Sequence, residues 1–174
     1  MGCDIHAFVE YAKAGSYESQ TIETLDIPRD YALFTVMALG EGGLTDELPY
    51  PPRGIPSGLS AEAKNYFYTP AEEVQEMVEE WFGDDEPFEP EEYAKAHGKS
   101  AQKEFLAHQL LPTPELYFHS WLTVDELNEV LSYGKLSKED LSDEFRSILT
   151  SMESLAKSYG SKNVRIVFCF DGAG

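Results

Sequence analysis

Apolar and polar positions alternate at the start of the chain. Cys3, Ile5, Ala7, Val9 and Tyr11 fall on one face of an extended segment, and Asp4, His6, Phe8 and Glu10 on the other. This predicts a first strand over about 2–11 that opens with an acid and an imidazole side by side. Gly15 and "SYESQTIETLD" then read as a return strand. Asp30 caps a short buried helix, "YALFTVMALG", that stops at Gly40. Between 40 and 69, "GEGGLTDELPYPPRGIPSGLS" breaks every regular period and predicts a long loop. Loops of that length in compact domains usually cover or line a site.

The second half follows a helical period. "TPAEEVQEMVEEWFG" predicts a helix with a Thr69–Glu72 capping box, Pro70 at its first position and a stripe of Val74, Met77, Val78 and Trp81. Residues 83–92 form an acidic link, and 83–112 has the texture of an insertion, helical over about 90–110 with a break near Gly98 and a restart at Ser100. "TVDELNEVLSYG" carries a second capping box, Thr123 with Glu126, and a glycine stop at Gly134. Ser137 is expected to start a long helix facing the core through Leu141, Phe145, Ile148, Leu149, Met152 and Leu155. The closing "NVRIVFCFD" is apolar almost throughout, the pattern of a strand covered on both faces. Within it Cys169 and Asp171 share one face, and Ile166, Phe168 and Phe170 the other.

Strands at both ends of one chain satisfy their backbone groups most cheaply by pairing with each other. The expected fold is α+β: a single 1–174 domain, a small, mostly antiparallel sheet of N- and C-terminal strands, and helices mainly on one face. Strand direction is left open by the sequence. An antiparallel pairing gathers Asp4, His6 and Asp171, whereas a parallel one separates them.

Charge narrows the partners. Lys and Arg number 13 against 32 Asp and Glu, a formal net charge of −19. That disfavours direct nucleic-acid binding and attachment to anionic membranes, since both need cationic groups. It leaves an ordinary acidic surface, or an acidic face that mimics nucleic acid towards a host protein. Residues 69–92 hold eleven acids and no Lys or Arg. No stretch has the length of an apolar membrane span, and no basic segment followed by an apolar one marks a secretory signal. Cys3 and Cys169 are therefore expected as reduced thiols in a cytoplasm.

Three places can carry chemistry. Asp4, His6 and Asp171 suit acid, base or metal-ligand work, or a structural hydrogen bond. Arg53, in a proline-bounded loop, suits a phosphate or carboxylate, or loop carbonyls and one of the many acids. His119 and Ser120 precede a helix start whose free amides attract anions, with Trp121 and Tyr50 available to stack on a base. As packing residues, Trp81 and Trp121 read as core, and His97 and His108 as solvent-facing. No zinc, calcium or phosphate-loop signature is present, so no cofactor is named.

"GCDIH" at 2–6, "RDYALF" at 29–34, "PPRG" at 51–54, "HSWLT" at 119–123 and "RIVFCFD" at 165–171 together resemble a family of small proteins from tailed bacteriophages and prophages. The resemblance spans the chain. It departs at Gly172, where that family usually carries Asn after the final Asp. It implies an accessory protein acting in the host bacterial cytoplasm, but no particular chemistry. Small phage accessory proteins often blunt host defence, which frames three expectations. The first is a pocket that sequesters a small anionic, nucleotide-like signal through Arg53, His119, Ser120, Trp121 and Tyr50. The second is a hydrolase or phosphodiesterase that degrades such a signal with Asp4, His6 and Asp171, with or without metal. The third is an acidic inhibitor of a host protein. A homo-oligomer fits the first two, a second copy completing the pocket.

Overall fold

A computed structural model describes residues 4–13, 15–20, 27–83, 85 and 87–171. Cys3, Gly172 and the end of the expected second strand lie outside these residues. The main sheet has four antiparallel strands: β1 (Asp4–Lys13), β2 (Ser16–Gln20), β5 (Leu116–Thr123) and β6 (Val164–Asp171), in the order β2-β1-β6-β5. The strands nearest the two chain ends are neighbours at its centre, and Asp4 pairs with Asp171 in the register. β6 is buried along all but its last residue, as its unbroken apolar run requires.

One sheet face carries Ile5 and Val9 of β1 with Ile166, Phe168 and Phe170 of β6. It packs on α6 (Val124–Tyr133) through Leu127, Val130 and Leu131, and on α7 (Asp143–Tyr159) through Phe145, Ile148, Leu149 and Met152. Each such fully buried side chain contributes about 1.5–3 kcal/mol. The period-two reading of both central strands therefore holds, and α6 and α7 share one face. The other face is also covered. Val167 and Cys169 of β6 meet Ala63 and Phe67 of α2 (Ala61–Phe67), Ile55 of the preceding loop and Ala101 of α5 (Lys99–His108).

α2 corrects the expected 40–69 loop. Ser60 Oγ accepts from the Ala63 amide and starts a helix where glycine and proline give way to "AEAKNYF". The chain then continues straight into β3 (Tyr68–Pro70), which pairs with β4 (Leu110–Pro112). That pairing also overturns the Thr69 capping box. Thr69 is extended and its hydroxyl meets Thr113, so α3 (Ala71–Phe82) starts after Pro70 without a side-chain cap. α3, α4 (Pro90–Ala96), α5 and β4 share an apolar cluster of Ala71, Val74, Ala94, Phe105 and Leu111. Trp81, expected in the core, lies beyond that cluster and is 45 % exposed.

Other local expectations hold or shift by a turn. Asp30 caps α1 (Tyr31–Phe34) by accepting from the Leu33 amide, and one π turn, Thr35–Leu39, carries the chain to Gly40. Gly40 is obligatory: its φ is +79°, and a Cβ there meets Leu44 O at 2.4 Å. Gly134 ends α6 for a different reason from the expected left-handed stop. Its φ is −76°, but a Cβ would strike Val36 Cγ1 at 2.5 Å, and Lys135 takes the left-handed turn instead. Ser137 caps only a short turn, Lys138–Asp140; the long helix waits for Ser142, which caps α7.

Candidate active site at the end of the β1–β6 pair

Antiparallel pairing resolves the open question at the start of the chain. Asp4, His6, Phe8 and Glu10 share the α2 side of the sheet with Arg165, Val167, Cys169 and Asp171. His6 lies diagonal to Asp171, within reach of a cross-strand contact. His6 Nε2 is 2.7 Å from Asp171 Oδ2, and His6 Nδ1 is 2.7 Å from the hydroxyl of Tyr66 on α2. In the neutral imidazole with Asp171 ionised, Nε2 carries the proton donated to the carboxylate. Nδ1 then accepts from the Tyr66 O–H. The result is a continuous carboxylate–imidazole–phenol chain, the arrangement by which a base is oriented and a weak hydroxyl nucleophile activated.

The sequence predicted two of its members and missed the third. α2 places Tyr66 beside His6, ring centroids 5.1 Å apart, while Phe67 on the same helix anchors it in the core. Tyr66 is 40 % exposed, so the chain ends in an accessible oxygen. Burial, followed by the neighbouring Cys169 and Asp171, pushes its phenol up to about 12. Tyr66 therefore holds its proton at neutral pH, with His6 Nδ1 as the group placed to accept it. Asp171 Oδ1 is buried with no partner among the described residues. The Cys169 thiol is buried and its pKa raised, which makes it an inert packing group.

Asp4 joins this end of the sheet through a different partner. Arg29 donates to Asp4 Oδ1 at 3.0 Å, and this hydrogen bond holds the Asp4 carboxyl below its ordinary value. Both side chains are well exposed. A cation thus stands beside the relay. Asp4, His6 and Asp171 do not converge as metal ligands: among the described residues no three His, Cys, Asp or Glu side chains gather for a metal ion.

The other predicted centre is closed by its own side chains. Arg53 is paired with Glu126, donates to Trp121 O at 3.2 Å, and lies over the rings of Trp121 and Tyr50 at 4.3 and 4.9 Å. Tyr50 donates to Glu129 at 2.7 Å. Glu126 also completes the capping box: the Thr123 amide donates to its carboxylate and its own amide donates to the Thr123 hydroxyl. Burial alone raises Glu126, but the bonds from Arg53 and Thr123 outweigh it and leave the carboxyl below its usual value. An anion arriving there must displace an ion pair and a cap. Ser120 is buried and accepts from the Arg53 amide at 3.0 Å.

His119 turns away from that group. Its ring packs edge-on against Phe67 and is buried, and burial lowers it to about 4. His119 Nε2 has no partner among the described residues. It is a neutral packing histidine at pH 7. His97, expected in solvent, is half-buried: its Nδ1–H donates to Tyr93 O at 2.8 Å and its ring lies 4.3 Å from that of Tyr93. His108 is exposed as expected.

A buried ion pair, Glu10 with Arg165, was not foreseen. Arg165 Nε donates to Glu10 Oε1 at 2.8 Å, its Nη2 to Ser57 O and Gly58 O at 3.2 Å, and its guanidinium stacks 3.5 Å above Tyr17. The second Glu10 oxygen accepts from the Ser60 amide at 2.7 Å. The pair pins the loop that leads into α2, and so indirectly sets Tyr66.

Among the described residues no helix is long and apolar enough to cross a membrane. Comparison of the chain with protein-family models, curated proteins and solved structures finds no match.

Proposed function

We propose that this chain is a phage accessory enzyme of the hydrolase class, acting on a small anionic substrate at Tyr66, His6 and Asp171. The observation that carries this reading is the pair of 2.7 Å contacts joining Asp171 to His6 and His6 to the exposed Tyr66 hydroxyl. His6 Nδ1 accepts the phenol proton as Tyr66 Oη bonds to an electrophilic phosphorus or carbonyl carbon. Asp171 fixes the ring and balances the imidazolium. The leaving group departs with the proton from His6; the same ring then takes a proton from water as its oxygen displaces Tyr66, and returns that proton to the Tyr66 oxygen. Arg29, exposed although it donates to Asp4, is a cation at this end of the sheet that would steer an anionic substrate. The phage context rests on the resemblance carried by the five motifs along the chain. Sequestration through Arg53 ranks lower because Glu126, Trp121 and Tyr50 already occupy that guanidinium.

Turnover of bis(4-nitrophenyl) phosphate, 4-nitrophenyl acetate, cyclic dinucleotides and cyclic ADP-ribose isomers, with and without Mg²⁺ or Mn²⁺, tests the reading. The wild type is expected to cleave at least one compound. Tyr66→Phe and His6→Ala, folded by circular dichroism, are expected to lose about 100-fold or more. Cleavage that survives both substitutions, or none of any compound by the wild type, overturns it. Calorimetric binding with the compound recovered intact restores sequestration.

A further inference from the structure

A second surface, distinct from the relay, lies between α3, α4 and the entry to β5. Val78, Trp81, Phe88, Tyr93, His97 and Tyr117 are among the residues lining a groove of about 370 Å³. That volume holds one or two large side chains. Trp81, Phe82 and Tyr117 are exposed on its rim, with Phe82 73 % accessible. A contiguous aromatic patch of this kind on a strongly charged protein is unusual without a partner.

The surrounding charge selects the occupant. Between 78 and 97 the described residues include six acids against one base, Lys95, and Glu115 adds another acid beside Leu116. Glu80, Glu89, Glu91, Glu92 and Glu115 are exposed, and none forms an ion pair with a described residue. His97 points the same way: with Nδ1 committed to Tyr93 O, its Nε2 is the ring nitrogen left to accept an N–H. A second copy of a chain with net charge −19 is repelled from this surface, and so is nucleic acid.

We infer that the groove docks a basic segment of a partner protein: an apolar or aromatic anchor side chain enters between Trp81 and Tyr117, and flanking Lys or Arg residues meet the acidic rim. Aromatic anchors seated in such pockets carry most of an interface's binding energy, while the charged rim sets approach rate and choice of partner.

Selection from a random dodecapeptide display library tests it, with wild-type protein as bait and the Trp81→Ala/Phe82→Ala variant for counter-selection. The enriched peptides are expected to combine an aromatic or branched apolar residue with several Lys or Arg. Synthesised and measured by fluorescence polarisation, they should bind the wild type in a salt-sensitive manner. Phe82→Ala or Tyr117→Ala should weaken them about 10-fold or more, and His6→Ala should leave them unchanged. Both rim side chains are exposed, so their loss leaves the fold intact by circular dichroism. No enrichment, enriched peptides without basic residues, or equal binding to the variants overturns the inference. So does self-association of the wild type that Phe82→Ala abolishes in sedimentation.

Discussion

The β1–β6 pair carries two contacts of the same chemical kind at its two ends, and their surroundings differ completely. Glu10 and Arg165 are directly opposed in the register; their side chains are 0 and 7 % exposed, and loop carbonyls, an amide and the Tyr17 ring use their remaining capacity. His6 and Asp171, on the same sheet face, are 27 and 20 % exposed and hand their hydrogen bonding on to an accessible phenol. The first contact is saturated and fixes a loop. The second is a hydrogen-bonded chain that ends at a partly exposed phenol. Burial depth and the number of uncommitted polar atoms separate a structural ion pair from a candidate catalytic one, even when strands, face and residue types nearly match.

The sharpest way to break this comparison is to remove one partner at each end. Arg165→Met leaves the Glu10 carboxylate buried without its cation, and urea unfolding is expected to show a loss of about 3–5 kcal/mol. Adding Glu10→Gln should recover part of that loss. Asp171→Asn should cost about 1 kcal/mol or less, because water reaches the His6 end. Equal losses at the two ends would mean that both contacts are structural.

His119 supplies an intermediate case, a buried polar group with no ion pair. Its folded pKa of about 4 lies below the ordinary 6.5, so on acidification the unfolded chain takes the proton first. The native state keeps its full advantage above 6.5 and loses it as the pH falls towards 4, about 3 kcal/mol in all. Urea midpoints across this range should fall in the wild type and fall less in His119→Phe. The Arg53–Glu126 clasp comes next. Partly exposed and backed by two rings, it should cost about 1–2 kcal/mol on Arg53→Ala, read in the same unfolding assay. Smallest is Tyr66→Phe, which removes only the hydroxyl of a half-buried ring. Its stability should stay within about 0.5 kcal/mol of wild type while reactivity disappears.

How much of this was legible follows from the range of each signal. Alternation in "GCDIHAFVEY" and "RIVFCFD" assigned the faces of both central strands, because every second residue there is set by burial on a known side. The same alternation gave His6 and Asp171 each a face of its own strand, but only the tertiary pairing showed that both faces look towards α2. Tyr66 was hidden because proline and glycine up to Gly58 masked the helix that Ser60 starts two residues later. Arg53 looked available because Glu126 lies 73 residues away in sequence. With 32 acids for 13 bases, an acidic partner was one of the readings open for it, but no local rule names which acid. Thr69 failed as a cap because a three-residue strand pairing, invisible to periodicity, took its backbone.

The proposed activation of the Tyr66 phenol can be tested without knowing the substrate. An arylsulfonyl fluoride transfers its sulfonyl group to tyrosine oxygen and releases fluoride, so modification counted by peptide mass spectrometry ranks the tyrosines by reactivity. Tyr31, Tyr117 and Tyr133 are all more exposed than Tyr66 and serve as internal references. The account predicts that Tyr66 labels faster than these three in the wild type and falls to or below their rate in His6→Ala. Labelling that simply follows exposure, with Tyr66 slowest in both proteins, would contradict it.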